Sequence, residues 1–479
     1  MKFSFSRWGL QRSKGHNRAK FRTWENDSRG GRPHAVVVGG GFAGASCASA
    51  LTEAGVSVTL LEERATLGGR ACSFKDGVTK QDVDNGQHLF LGAYEDTRRF
   101  LSRLGVDHRI QFNADGVVPF VNRSGRWTEL KPRFFSGNPG LAVGVLGFGA
   151  LDVKDRILLI WGLTRARYAS PKRVSDLTAA QWLSYLGQTP GTRRAFWDPL
   201  CLATLNDRPD QASAQALLTV LKKGLLAGRK KGALGFSTLA LSRVWSMELG
   251  PYLQRTGGQI ATRQKGVRFL SDKNRVTALE TADGEMVCAD VFVSAVAMGE
   301  ALNLLPAPLA EIRHRLMGQG TSPIAAINLW FHTPPFRDKM VGFLDMDIQW
   351  AFNRETLWGP TAAGQISVVI SAAHDHEAMT SNELIGLTLA DLRRAFPEFK
   401  EEPRHATVTW ERHATPRPTP AFYRARPTVE TSLDNFFLAG DWVNVGLPPT
   451  IETACRSGHR AAALALAYLS THSKEAVAC

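Results

Sequence analysis

The stretch AVVVGGGFAGASCASALTEAG, Ala35 to Gly55, holds an apolar run, three consecutive glycines and then a series of small residues. Val36 to Val38 read as a buried parallel strand, and Gly39, Gly41 and Gly44 occupy the positions of G-x-G-x-x-G. The first glycine permits a tight turn. The second lets backbone amides approach a pyrophosphate, and the third lets the following helix pack closely on the strand. That helix offers unpaired N–H groups and partial positive charge to phosphates. A glycine-rich turn without a ligand would share the pattern, so the next segment carries weight. VSVTLLE, from Val56, reads as a second strand ending at Glu62, close to the roughly 20-residue spacing at which a carboxylate accepts from ribose hydroxyls. An acidic residue there repels a 2′-phosphate, which disfavours NADP and leaves NAD or FAD.

Working outward, 479 residues at a soft prior of roughly 150 per domain suggest two or three lobes. A composition of 44% hydrophobic and 21% charged residues excludes a disordered or fibrous chain. The net charge of +14 and pI near 9.7 imply an anionic partner, nucleic acid or an acidic membrane. No nucleic-acid-binding module supports the first. Cys47, Cys72, Cys201, Cys288, Cys455 and Cys479 show no C-x-x-C pairing, so neither a metal site nor a disulfide framework is expected, and a reducing cytoplasm fits. Residues 1–33 form a basic arm expected to be disordered, with nine Lys/Arg against Glu25 and Asp27 and no signal-peptide core. The longest apolar stretch, GLAVGVLGFGALDVKDRILLIWGL from Gly140, is cut by Asp152, Lys154, Asp155 and Arg156 before reaching the roughly 20 residues that span a bilayer.

Past Glu62 comes ERATLGGRACSFKDG, with a second glycine pair directly before an arginine. Glu62, Arg64, Gly68, Gly69 and Arg70 resemble, in order, the pattern of the flavin-containing amine oxidase superfamily. The resemblance implies FAD, whose length demands a second contact far along the chain. NFFLAGDWVNVGLPPTIETACRSGHRAA, from Asn435, meets that demand with a buried strand, Gly440-Asp441, a proline loop and a helix starting near Thr450. The superfamily pattern places Asp441 at the ribityl and phosphate region, the amides of Thr450 and Ile451 at the flavin, the backbone of Val267 at the adenine, and Gly86, Gln87 and His88 beside the flavin. Residues 257–298 alternate at period two, with Asp283-Gly284 as a hairpin turn. The expected fold is α/β: a discontinuous Rossmann-like FAD domain over 34–100, 250–305 and 428–471, with an α+β substrate lobe over 101–249 and 306–427.

Three segments sharpen the resemblance. DNGQHLFLGAYEDTRRFLSRLG from Asp84, WDPLCLATLN from Trp197 and LAGDWVNVGLPPTIETACRSG from Leu438 resemble the hydroxysqualene dehydroxylase family, squalene-associated FAD enzymes of bacterial hopanoid synthesis. That family replaces the hydroxyl of hydroxysqualene with hydride from N5 of reduced flavin, giving squalene. An amine-gripping cage is not evident, since Thr450 stands where amine oxidases carry tyrosine, and no cysteine precedes the C-terminal motif to link the flavin, so FAD is expected to be non-covalent. Candidates for the proton given to the leaving hydroxyl are His88, ranked first, then Glu452, Asp84 and Asp198. Phe196, Trp197, Leu200, Leu202, Trp330, Trp350 and Phe352 are candidates to line a tunnel for the lipophilic isoprenoid substrate. The basic-apolar stretch LTVLKKGLLAGRKKGALGFSTL, from Leu218, is expected to press onto an anionic membrane surface, on the inner face of the cytoplasmic membrane. The reaction also needs an electron donor. A carotenoid-type desaturase and a prenyl-lipid carrier that keeps the lobes and loses the flavin are the alternatives.

Overall fold

The computed structural model describes residues 31–113, 115–131 and 138–472; the basic arm up to residue 30 lies outside them. The chain first lays down β1 (His34–Val38), α1 (Phe42–Glu53), β2 (Ser57–Glu62) and α2 (Glu95–Arg103). It then builds β3 (Val118–Asn122), β4 (Trp127–Leu130), α3 (Asn138–Leu146), α4 (Val153–Tyr168), α5 (Asp198–Leu205) and α6 (Ala214–Lys223). It returns through β5 (Gly258–Thr262) and β6 (Val291–Ser294), and leaves again as β7 (Thr321–Trp330), β8 (Met340–Leu344), β9 (Trp350–Asn353), β10 (Gln365–Ser371) and β11 (His405–Pro416). It closes with β12 (Phe436–Leu438) and α7 (Ile451–Thr471).

The first sheet is parallel throughout, in the order β5-β2-β1-β6-β12. Covered on both faces, it needs continuous apolar runs, and Val36, Val37, Phe292, Val293 and Phe436 are fully buried. α1 consists largely of small residues because α7 lies across it. A Cβ on Gly458 would sit 2.2 Å from the Ala43 carbonyl oxygen, so α7 can approach α1 this closely only with glycine there. Beside this sheet, strands 266–272, 275–281 and 286–288 form an antiparallel sheet, with Gly284 at φ +76° in the expected turn.

The second sheet runs β11-β7-β10-β9-β8-β3-β4, antiparallel except where β8 meets β3. Its strands alternate. Ala325, Ile327, Leu329, Val368 and Ile370 face a core closed by helix Ser381–Ala395, while Ile324, Trp350, Phe352 and Val369 turn toward a cavity between the two sheets. α4, α5 and α6 bury a separate apolar cluster against the same lobe. None of the helices among the described residues is long and apolar enough to cross a membrane.

Candidate active site

A cavity of about 1160 Å³ runs from the glycine turn past Gly86, Gln87 and His88 to the start of α7, and on into the second lobe. At its inner end Gly39 has φ +108°, and a Cβ on Gly44 would lie 1.9 Å from the Gly39 oxygen. Gly41 starts α1, and no side chain caps that helix. Gly41, Phe42 and Ala43 therefore present uncapped N–H groups to the cavity, which suits a pyrophosphate. One Glu62 oxygen accepts from the Gly40 N–H at 2.7 Å and the other from the Arg64 N–H at 2.8 Å. A carboxylate has about four lone-pair sites, so two stay available for ribose hydroxyls.

Gly68 donates its N–H to the Gly40 oxygen at 3.0 Å, laying the second glycine turn on the first. Gly69 and Arg64 share this wall, and Arg64 donates to the Gly69 oxygen at 3.3 Å. Arg70 joins the two ends of the chain: its guanidinium donates to Asp441 at 2.6 Å and to the Ala414 oxygen of β11 at 3.0 Å. Val267 borders the glycine-turn end. At the other end Gly440 is held by Ser457 of α7, and Thr450 caps α7 by accepting from the Thr453 N–H at 3.3 Å. Thr450 and Ile451 face the cavity. An open helix end, a buried carboxylate, two glycine turns and a long slot between them fit FAD.

A parallel-sheet dinucleotide fold joined to a second, mostly antiparallel lobe, sharing one cavity, defines a flavin-dependent oxidoreductase. The chain belongs to the flavin containing amine oxidoreductase family, whose sequence profile matches residues 42–466, and its cofactor is FAD. It is 28% identical to hydroxysqualene dehydroxylase of Zymomonas mobilis, over 90% of this chain and 99% of the relative. It is 26% identical to zeta-carotene desaturase of Synechocystis, over 90% and 97%. In fold it is similar to a putrescine oxidase variant, with a TM-score of 0.71 at 16% identity over 91% of this chain and 99% of that one. Cyclohexylamine oxidase of Brevibacterium oxydans gives 0.69 at 18%, over 92% and 100%.

The proton-donor candidates separate once their surroundings are known. His88 is on the cavity wall, but burial lowers its pKa to about 4, with a hydrogen bond to the Arg70 backbone opposing and the charges of Arg70 and Arg354 adding to the drop. At neutral pH it is an uncharged imidazole, which removes the proton-loaded form expected of the first-ranked acid. Asp84 does not reach the cavity wall. It is fully buried, accepting from the Ser73 hydroxyl at 2.7 Å and the Leu241 N–H at 3.0 Å, and pairing at 3.1 Å with Arg354, itself buried with its guanidinium over Trp358. This pair locks the Asp84 segment to the second sheet. Glu452 borders the cavity, yet its lone pairs are used: it accepts from the N–H groups of Asp96 and Thr97, the Thr97 hydroxyl and Arg456. Burial raises its pKa against the opposing pull of these donors, and the hydrogen bonds anchor α2 to α7. Asp198, in the first turn of α5, lies off the cavity wall.

Among the apolar candidates, Phe196, Leu200, Leu202, Trp350 and Phe352 line the cavity. Trp197 and Trp330 do not. Trp197 is fully buried between Trp182 and Phe196 and donates to Gln188 at 2.7 Å; Trp330 donates to Gln81 at 2.7 Å. Both indoles are buried, and each spends its N–H on one hydrogen bond. The stretch from Leu218 differs from expectation as well. Leu218, Leu221 and Leu226 are buried in the lobe's core and so are turned away from any leaflet, and Lys223, Arg229 and Lys231 stand exposed at the cavity rim.

Three wall residues escaped the sequence reading. Asn85 donates to the Arg70 oxygen at 2.7 Å and to Glu411 at 3.3 Å, so Glu411 of β11 is placed beside the His88 segment. Tyr94 is the one tyrosine on the wall among the described residues, with burial raising its pKa. Asn85 and Tyr94 lie inside the distinctive segment from Asp84 and were open to notice. Glu411 sits in an ordinary alternating strand and gives no local signal.

Proposed function

We propose that the protein removes the hydroxyl of hydroxysqualene reductively, giving squalene in bacterial hopanoid synthesis. The observation that carries this reading is the continuity of the cavity. Beyond the flavin end its wall is formed by Phe196, Leu200, Leu202, Ile324, Trp350 and Phe352, a surface suited to a long hydrocarbon and lacking, among the described residues, a tyrosine pair to grip an amine. The relatedness to hydroxysqualene dehydroxylases along nine-tenths of the chain agrees with it.

The balance is a carbinol C–O bond broken, a C–H bond formed and water released, at a cost of two electrons and two protons per turnover from an external donor. Bound FAD supplies the hydride chemistry. The chain's own residues do the rest. The uncapped start of α1, Glu62 and the Arg70–Asp441 pair hold the two ends of the cofactor. The apolar wall excludes water, so that the allylic carbon meets hydride and nothing else. With Glu452 saturated and Asp84 sealed away, Glu411, which accepts from Asn85 on the cavity wall, is a carboxyl group beside the His88 segment, and His88 would orient the substrate oxygen by a hydrogen bond.

Anaerobic incubation of reduced enzyme with hydroxysqualene should yield squalene by gas chromatography and mass spectrometry. The relatedness to zeta-carotene desaturase favours a second reading, oxidation of a polyene. Desaturation of a carotene with an added oxidant, and no squalene from hydroxysqualene, would replace the first reading by this one.

A further inference from the structure

The apolar stretch from Gly140, too interrupted to span a bilayer, folds as the hairpin of α3 and α4. α4 buries Leu159, Gly162, Leu163 and Ala166 against its lobe. The opposite side of the same helix carries Val153, Ile157, Trp161 and Tyr168, all exposed, at 68%, 59%, 54% and 80%. Their spacing of four, four and seven residues sets them on one face of an α-helix. Val143 and Leu146 of α3 and Tyr185 extend the exposed apolar surface. An amphipathic helix normally turns such a stripe inward. α4 is apolar on two sides and has a protein partner for one.

Three observations say what covers the other. First, the charge is one-sided: between residues 152 and 173 six Lys/Arg stand against Asp152 and Asp155. Asp152 caps α4, and Asp155 accepts from the Thr189 hydroxyl, so the two acids are used locally while Lys154, Arg165, Lys172 and Arg173 are exposed. Second, Arg165 lies over the rings of both Trp161 and Tyr185, at 6.0 and 5.6 Å, a mixture of cation and amphipathic aromatics that suits the boundary between lipid headgroups and acyl chains. Third, the surface continues into the site. α3 presents Val143 and Leu146 outward while Leu141 and the following Phe148 line the cavity, whose rim also carries Lys223, Arg229 and Lys231.

We propose that the exposed face of the α3–α4 hairpin is a membrane-docking surface for an anionic bilayer, seated over the apolar end of the cavity. The assignment deepens the reading of a lipophilic isoprenoid substrate, and rests on it for its purpose though not for its test. It moves the membrane contact away from the Leu218 stretch, where Leu218, Leu221 and Leu226 are buried, and leaves the lysines and arginine of the cavity rim as electrostatic support.

Flotation of the flavin-loaded protein with vesicles tests it without any turnover. The wild type should float with phosphatidylglycerol vesicles, float poorly with phosphatidylcholine vesicles, and be released as salt rises. The double variant Ile157→Glu/Trp161→Glu should lose partition by about tenfold or more while keeping its bound-flavin spectrum and melting temperature. Lys223→Ala/Lys231→Ala should weaken partition less. Undiminished binding by the Glu variant overturns the proposal. So does a wild-type dimer that the Glu substitutions split with no change in vesicle binding, which would make a second copy of this chain the occupant. Squalene formation from micelle-dispersed hydroxysqualene by the Glu variant reports separately on the reaction. Its absence in both proteins would count against the reaction and leave the docking result standing.

Discussion

The two ends of the cavity are built in different ways. At the glycine turns, backbone groups do the work: amides of α1, the Gly40 and Arg64 N–H groups on Glu62, and carbonyls so close that a single Cβ would collide with them. In the second lobe the wall is a set of apolar side chains from several strands and helices, each replaceable by a group of similar volume. A backbone-built site tolerates almost no change at fixed positions, whereas a side-chain-built chamber tolerates much. The contrast can be broken by substitution at either end.

The largest effect is expected at Gly44→Val. Its side chain would start 1.9 Å from the Gly39 oxygen, so strand and helix must part, at about 3 kcal/mol or more. The purified protein should be colourless or insoluble; a yellow, stable variant would show that the turn is more yielding than its geometry. Arg70→Ala comes next. It strips the partner from Asp441, whose side chain is only 8% exposed, a loss of about 1–3 kcal/mol that should appear as faster release of fluorescent flavin on dilution.

His88→Ala should lower turnover by about tenfold with flavin retained. Because its folded pKa is lowered to about 4 from 6.5, the imidazole is neutral throughout the usual assay range. The kcat/KM profile should therefore show no histidine break between about pH 5 and 8 that His88→Gln abolishes. The same depression sets the sign for stability. The unfolded chain binds the proton first, so the contribution is fully present above about 6.5 and is lost as pH falls toward about 4, which thermal melts of wild type and His88→Gln would compare. The smallest effect belongs to Phe352→Leu on the chamber wall, under about 1.5 kcal/mol in stability and visible mainly in KM. Trp197→Phe, by contrast, leaves Gln188 short of its donor and should lower Tm without a specific change in KM.

This contrast also explains which parts of the site were open to sequence reasoning. Glycines 39, 41 and 44, Glu62 and the Gly68-Gly69-Arg70 turn stand at the spacing that one ligand imposes on one backbone path, so they can be read in order along the chain. The carboxylates could not be sorted that way. Asp84 and Glu452 lie in segments as distinctive as that of His88, and only their neighbours, Arg354 for one and the N-terminus of α2 for the other, show them to be structural. Trp197 and Trp350 are the same residue type in the same lobe, and only packing sends one into the core and the other to the cavity. Leu218, Leu221 and Leu226 went the same way.

The sequence by itself pointed to the α/β class and to a dinucleotide at the glycine turn, because steric and phosphate-binding demands act on local backbone at fixed separations, while FAD and its second, distant contact segment were read from the family resemblance. Tertiary structure alone decided which acids meet the cavity, that burial lowers the His88 pKa and that α4 keeps an exposed apolar face. Those properties depend on burial and on partners hundreds of residues away, and no local pattern encodes them.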